Sequence, residues 1–293
     1  MRCATLPPIP RSNIVEHQRR ADIVRAVFQL DERLTNRKSS LAESHALFPI
    51  EEDRNILQQA GIIPRLAFMS TSNQIEIDKW LYDDTNKSYA YEYHEMFLRM
   101  LNSVDPPKSH WLLKWPLHSV YLDTVFARYP NAAVVMCHRR LDEVLPSFFR
   151  LIRTTTGSSF NETDARTSTA LKTRTIRHLD QLTGHILEFR QRSRHLQNTS
   201  HIPIFDIAYT DLMKQTITTV HRIYDHFGLR WSKEFEMAMN TWLNDNPQGK
   251  QGRHVYSLAE LDLTPEDVEK HYSDYISSFQ NLLITSDSPH QTP

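Results

Sequence analysis

The chain has 293 residues, 40% of them hydrophobic and 24% charged, with a formal net charge of -1. That is the composition of a packed globular protein, and the length suits one large domain. The near-neutral charge excludes a global electrostatic attraction to nucleic acid or an acidic membrane, so any anion site must be a local cluster of basic groups.

The first ten residues, with Pro7, Pro8 and Pro10, read as an irregular lead-in that extends to about residue 20. They hold no apolar run of the kind found in secretory leaders, and no later stretch reaches bilayer-spanning length. Two cysteines, Cys3 and Cys137, are too few and too far apart for a disulfide framework. A cytoplasmic protein with no membrane segment is the expectation, and Cys137, inside an apolar run, is expected to be a buried, inert thiol. Fifteen histidines invite a metal site. Their spacing gives no such site: His94 has no second histidine on its helical face, and His221 and His226 are off-register for one face. No metal is expected.

Ile23, Val27, Leu30 and Leu34 recur at helical spacing, residues 35–50 are polar without a period, and Glu51 to Trp80 suggests short helices broken near Gly61 and Pro64. Tyr89 to Leu101 is helical again. The pattern then changes. Trp111 to Lys114, Ala132 to Cys137 and Ile202 to Ala208 are short continuous apolar runs that fit buried parallel strands. Helical stretches, Leu117 to Tyr129 and Leu171 to Leu196, separate them. Further on, Ile217, Val220, Tyr224 and Phe227 form a helix face stopped by Gly228 at a C′ position. Ser232 is a candidate N-cap for a helix carrying Phe235, Met239 and Trp242, and Thr264-Pro265-Glu266-Asp267 is a helix start whose buried face is Val268, Tyr272, Tyr275 and Phe279. Residues 1–285 are expected to form one domain and 286–293 a flexible tail. Strands alternating with helices predict an α/β fold with a mostly parallel central sheet flanked by helices.

Ligands of such sheets bind beyond the carboxyl ends of the strands. There the sequence places Lys114, Pro116 and His118 after the first run, His138, Arg139 and Arg140 followed by Ser147 after the second, and Tyr209 and Asp211 after the third. Two of the six glycines, Gly249 and Gly252, are interleaved with Lys250 and Arg253 in a further loop. Cations and close-approach glycines gathered at one sheet edge suit an anionic ligand such as a nucleotide. Read without a family, Lys114 and His118 are better taken as a strand-end lysine and a helix-start histidine, and Arg139 and Arg140 can simply pair with Asp142 and Glu143.

Trp111-Leu-Leu-Lys114-Trp-Pro116-Leu-His118 resembles the "W-x-L-K-x-P-x-H" motif of the sulfotransferase family. Tyr129-Pro130-Asn-Ala with His138-Arg139, Tyr209-Thr-Asp211-Leu212, Ile223-Tyr224-Asp-His-Phe-Gly228 and Gly249-Lys-Gln-Gly252-Arg253-His254 resemble further segments of that family in the same order. The resemblance runs from about Ser44 to Tyr275. It implies a P-loop NTPase-like sulfotransferase fold and 3′-phosphoadenosine 5′-phosphosulfate as co-substrate, with a small-molecule or glycan acceptor. It implies that Arg139 and Ser147 bind the 3′-phosphate, that Tyr209 lies near the adenine, and that Lys250, Gly252 and Arg253 clamp phosphate. Lys114 and His118 are then the catalytic candidates, for charge on the bridging oxygen and for the acceptor proton. The family's first strand and its "G-x-x-R-S-G-T-T" loop have only a lookalike here, Arg11-Ser12, so this element is expected to be missing. The alternatives are a noncatalytic relative that binds a nucleotide or protein partner, and a P-loop kinase-like phosphotransferase, against which the lack of a Gly-Lys-Ser/Thr loop argues.

Overall fold

In the computed structural model, residues 12–35, 52–69, 74–83, 87–156, 165–196, 203–247 and 257–283 are described. The chain divides into two compact units, Met1–Pro130 with Leu151–His185, and Asn131–Arg150 with Ile186–Pro293.

In the first unit, α1 (Ile14–Thr35) opens well before the apolar pattern suggested. Asn13 Oδ1 accepts from the Glu16 N–H at 3.2 Å, and Glu16 in turn binds Arg19 at 2.6 Å and Arg20 at 2.9 Å. The cap and the ion pairs satisfy the first turn, so the lead-in ends at the cap rather than at residue 20. The stretch read as broken short helices is α2 (Arg54–Gln59), α3 (Leu66–Met69) and α4 (Gln74–Tyr82). Gly61 ends the first of them with φ of +96°, a conformation that favours glycine. The longer α5 (Ser88–Val104) buries Ala90, Tyr91, His94, Phe97 and Leu98 on one face. Phe97 and Leu98 meet Ile56 of α2, and Trp111 and Leu113 pack on that cluster.

That packing explains a correction. Trp111 to Lys114 forms no strand; Trp111 and Leu113 pack on the cluster of α2 and α5 while Leu112 is exposed, and the Lys114 N–H donates to the Asp53 carboxylate at 2.9 Å rather than to a neighbouring strand. A 3-10 turn (Pro116–Val120), with proline at its first position, and α6 (Leu122–Arg128) follow.

The second unit holds the sheet. β1 (Val134–His138) pairs in parallel with β2 (Ile204–Ala208), in register from Val134 with Ile204 to His138 with Ala208. These are the second and third apolar runs of the sequence. Along β1 the side chains alternate, so Met136 and His138 are buried while Val135 and Cys137 share the open face. Cys137 is therefore exposed, contrary to the expectation from its apolar neighbours. The helix α7 (Leu141–Thr156) leaves β1, and the 32-residue α8 (Ala165–Leu196) precedes β2; each runs from one unit into the other. After β2 come α9 (Tyr209–Lys214), α10 (Thr216–His226) and α11 (Lys233–Asp245). Gly228 ends α10 at φ of +63°, and Ser232 Oγ caps α11 by accepting from the Phe235 N–H at 3.1 Å. Trp242, carried on α11, is 63% exposed. The Thr264 to Phe279 stretch keeps its predicted helix start, closed by a capping box between Thr264 and Asp267, and its buried face, but divides into α12 (Pro265–His271) and α13 (Ser273–Ser278), with α14 (Gln280–Leu283) after them.

Candidate functional site

Each unit contributes one constellation built on an aspartate bonded to histidine, the first aspartate buried and the second half-buried.

In the first unit the aspartate is Asp53, in front of α2 and 1% exposed. An aspartate at a helix start ordinarily caps the first turn, but this side chain makes no cap. Its Oδ1 accepts the Lys114 N–H at 2.9 Å, and its Oδ2 lies 2.8 Å from His118 Nε2 and 3.1 Å from His94 Nε2. The outer ring nitrogens face phenols, His118 Nδ1 at 2.7 Å from Tyr91 Oη and His94 Nδ1 at 2.7 Å from Tyr129 Oη. Tyr91 and His94 are three residues apart on α5 and so share its inner face. Burial works to raise the Asp53 carboxyl, but the hydrogen bonds from His118 and His94 outweigh it and hold the group well below the usual carboxylate range. An ionised carboxylate only accepts, so both histidines present Nε2–H to it. With neutral imidazoles, both Nδ1 atoms then accept from the tyrosines. Burial also raises the Tyr129 phenol above its ordinary range, in keeping with a donor O–H. The ring nitrogens bond the carboxylate directly, leaving no room for an ion between them.

Of the predicted catalytic pair, His118 is held in this network with its side chain 21% exposed. Lys114 shares the network through its backbone, while its ammonium, 66% exposed, pairs with Glu52. An ion pair so exposed contributes little stability and is readily exchanged.

In the second unit, Arg139 and Tyr209 directly follow the paired residues His138 and Ala208, at the carboxyl edge of the sheet. The Arg139 guanidinium lies 4.6 Å above the centre of the Tyr209 ring, and its Nε donates to Glu143 Oε2 at 2.8 Å. Ser147, half-buried, ends the second turn of α7. Arg140 pairs instead with Asp142. His138 faces inward: Nδ1 is 2.8 Å from Tyr275 Oη, Nε2 is 3.0 Å from Asp206 Oδ1, and Phe279 stacks on the ring at 4.0 Å. Arg190 pairs with the same Asp206 oxygen. A cavity of about 460 Å³ opens beside Arg190, Asp206 and Phe279 and includes none of the predicted site residues. Lys250, Gly252 and Arg253 lie outside the described residues, as do Arg11 and the 286–293 tail.

The structure thus brings Lys114 and His118 together in one unit and Arg139 and Tyr209 together in the other. The sequence reading missed Asp53, Tyr91, His94 and Tyr129. Their partners are 27 to 65 residues away in the chain, beyond the reach of local periodicity. Among the described residues no helix is long and apolar enough to cross a membrane.

The chain is a mostly helical α/β protein with polar groups at the carboxyl edge of a small parallel sheet. The comparisons narrow that class. A profile of the sulfotransferase family matches residues 10–233, and the chain belongs to that family of transferases. The sulfotransferase STF9 from Mycobacterium avium is similar in structure with a TM-score of 0.76 at 22% identity, over 97% of this chain and 69% of that one. The sulfotransferase STF1 from Mycobacterium tuberculosis H37Rv aligns with a TM-score of 0.71 at 25% identity, over 92% of this chain and 67% of that one. No curated protein matches the chain in sequence.

Proposed function

We propose that the chain transfers a sulfuryl group from 3′-phosphoadenosine 5′-phosphosulfate to the hydroxyl or amine of a small-molecule or glycan acceptor. The observation that carries this reading is the Arg139–Tyr209 pair at the carboxyl edge of the sheet, where the guanidinium is stacked on the ring. Stacking fixes the plane of the guanidinium, which suits two-point recognition of a phosphate. The aromatic ring beside it offers a surface for a base. The Arg139 side chain is 31% exposed and partly held by Glu143, so an incoming phosphate competes with that carboxylate. Ser147 adds a hydroxyl, and Lys250, Gly252 and Arg253 complete the donor side in this reading.

The transfer itself is an in-line displacement. The acceptor oxygen or nitrogen attacks sulfur, the bond from sulfur to the 5′-phosphate oxygen breaks, and adenosine 3′,5′-bisphosphate leaves. Lys114 offsets charge on the leaving oxygen, and His118 takes the acceptor's proton.

Calorimetric titration with adenosine 3′,5′-bisphosphate tests the donor side. Saturable binding is expected, weakened by roughly 10- to 100-fold in Arg139→Ala, the loss of a charge-assisted phosphate contact. A folded chain that binds no bisphosphate, or an Arg139→Ala variant that binds as well as wild type, refutes the reading.

A further inference from the structure

We infer that Asp53 is the positioning residue of the transfer site: its single carboxylate sets the backbone of Lys114 through Oδ1 and the ring of His118 through Oδ2, and so makes Nδ1 of His118 the nitrogen that takes the acceptor's proton. The inference rests on the transfer reading above.

Three features carry it. First, Asp53 stands where a capping aspartate would, yet forgoes the cap and binds partners 41, 61 and 65 residues away. Second, two of these partners are Lys114 and His118, on either side of Trp115 and Pro116. One carboxylate therefore brackets the turn that carries both catalytic candidates, and Pro116 at the start of the 3-10 turn stiffens it. Third, His94 occupies the same Oδ2 atom and is itself fixed by Tyr129, so the carboxylate is held from two sides.

The proton count follows. His118 keeps its Nε2 proton toward Asp53, and its Nδ1 lone pair receives the Tyr91 hydroxyl in the resting protein. The acceptor hydroxyl replaces that hydrogen bond, and as its oxygen bonds to sulfur its proton passes to Nδ1. The imidazolium that forms lies against the Asp53 carboxylate, which offsets its charge, as an orienting carboxylate does in other histidine bases.

The tautomer of His118 is directly measurable by nitrogen-15 correlation spectroscopy of the imidazole, on the full chain without substrate. The wild type is expected as the Nε2–H form. In Asp53→Asn the Lys114 N–H retains the amide oxygen, the amide NH2 turns to the histidines, and His118 is expected to switch to Nδ1–H. Tyr91→Phe, which leaves the carboxylate intact, is expected to keep Nε2–H. With radiolabelled 3′-phosphoadenosine 5′-phosphosulfate and 4-nitrophenol or a primary alcohol as acceptor, Asp53→Asn is expected to lower kcat by about 10²- to 10⁴-fold, the range of a general base, with KM for the donor within about threefold.

A wild-type His118 found as Nδ1–H overturns the assignment, whether or not the variant folds. So does an Asn variant with unchanged tautomer or unchanged kcat. A wild-type chain with no turnover on either acceptor counts against the transfer reading, and the spectrum then supports or overturns the Asp53 assignment by itself.

Discussion

His178, on α8, gives the sharpest test of the packing in the first unit. Its ring is enclosed, with Tyr82 Oη 2.6 Å from Nδ1 and Phe68 packed at 5.3 Å between ring centres. Burial alone holds its pKa down to about 3, against an ordinary value of 6.5. A histidine whose folded pKa is depressed is neutral in the native protein and must charge on unfolding. The stability it contributes is therefore complete above pH 6.5 and is lost as pH falls from 6.5 toward 3. Between pH 7 and pH 5 the linkage relation gives a loss of about 2 kcal/mol from this one group. The comparison that isolates it is His178→Gln, which keeps a polar partner for Tyr82 and does not titrate. Urea unfolding at pH 7, 6 and 5, followed by tryptophan fluorescence, should show wild type losing about 2 kcal/mol more than the variant across that range. Contributions from the other titrating groups cancel in the difference. Two parallel stability curves would refute the argument, because they would mean that His178 charges as easily in the folded protein as in the unfolded chain.

Two further outcomes concern packing within the first unit and capping within the second. Leu57, fully buried on α2, supports the helix whose start carries Asp53, so Leu57→Ala is expected to lower unfolding stability by about 2–5 kcal/mol in urea titrations. Ser232 Oγ caps α11, and Ser232→Ala should cost about 1 kcal/mol, while Ser232→Asp should leave stability nearly unchanged because an aspartate accepts the same Phe235 N–H.

What the sequence reveals of this protein divides along the range of the interactions involved. Strands β1 and β2 were legible as short apolar runs of the kind parallel strands show, although one face of β1 is open and β2 carries Asp206. The end of α10 at Gly228 and the start of α12 at Thr264 were legible because caps are made within a few residues. The start of α1 carried a signal of the same local kind, Asn13 with Glu16 three residues on, which the Pro-rich segment before it obscured. Trp111 to Lys114 was misread for the opposite reason. Its run of apolar residues is what a buried strand would show, but the surface it covers belongs to α2 and α5, and its backbone donor goes to a side chain 61 residues upstream. Nothing in the run itself distinguishes those two fates.

The candidate site was legible in the same uneven way. Lys114, His118, Arg139 and Tyr209 follow apolar runs and carry groups suited to an anion, so position and chemistry point to them together. Asp53, His94 and the two tyrosines acquire their meaning only when distant elements meet. The fold also limits what such a constellation implies. Asp206, His138 and Tyr275 repeat the aspartate–histidine–tyrosine arrangement of Asp53, His118 and Tyr91 with nearly the same distances. In that second copy Phe279 stacks on the imidazole, Arg190 shares the aspartate oxygen, and the His138 side chain is 1% exposed against 21% for His118. The His118 ring is the less enclosed of the two. Hydrogen-bond geometry alone would give both histidines the same role. Access separates them, assigning His138 to the support of the sheet and leaving His118 as the base of the proposed reaction.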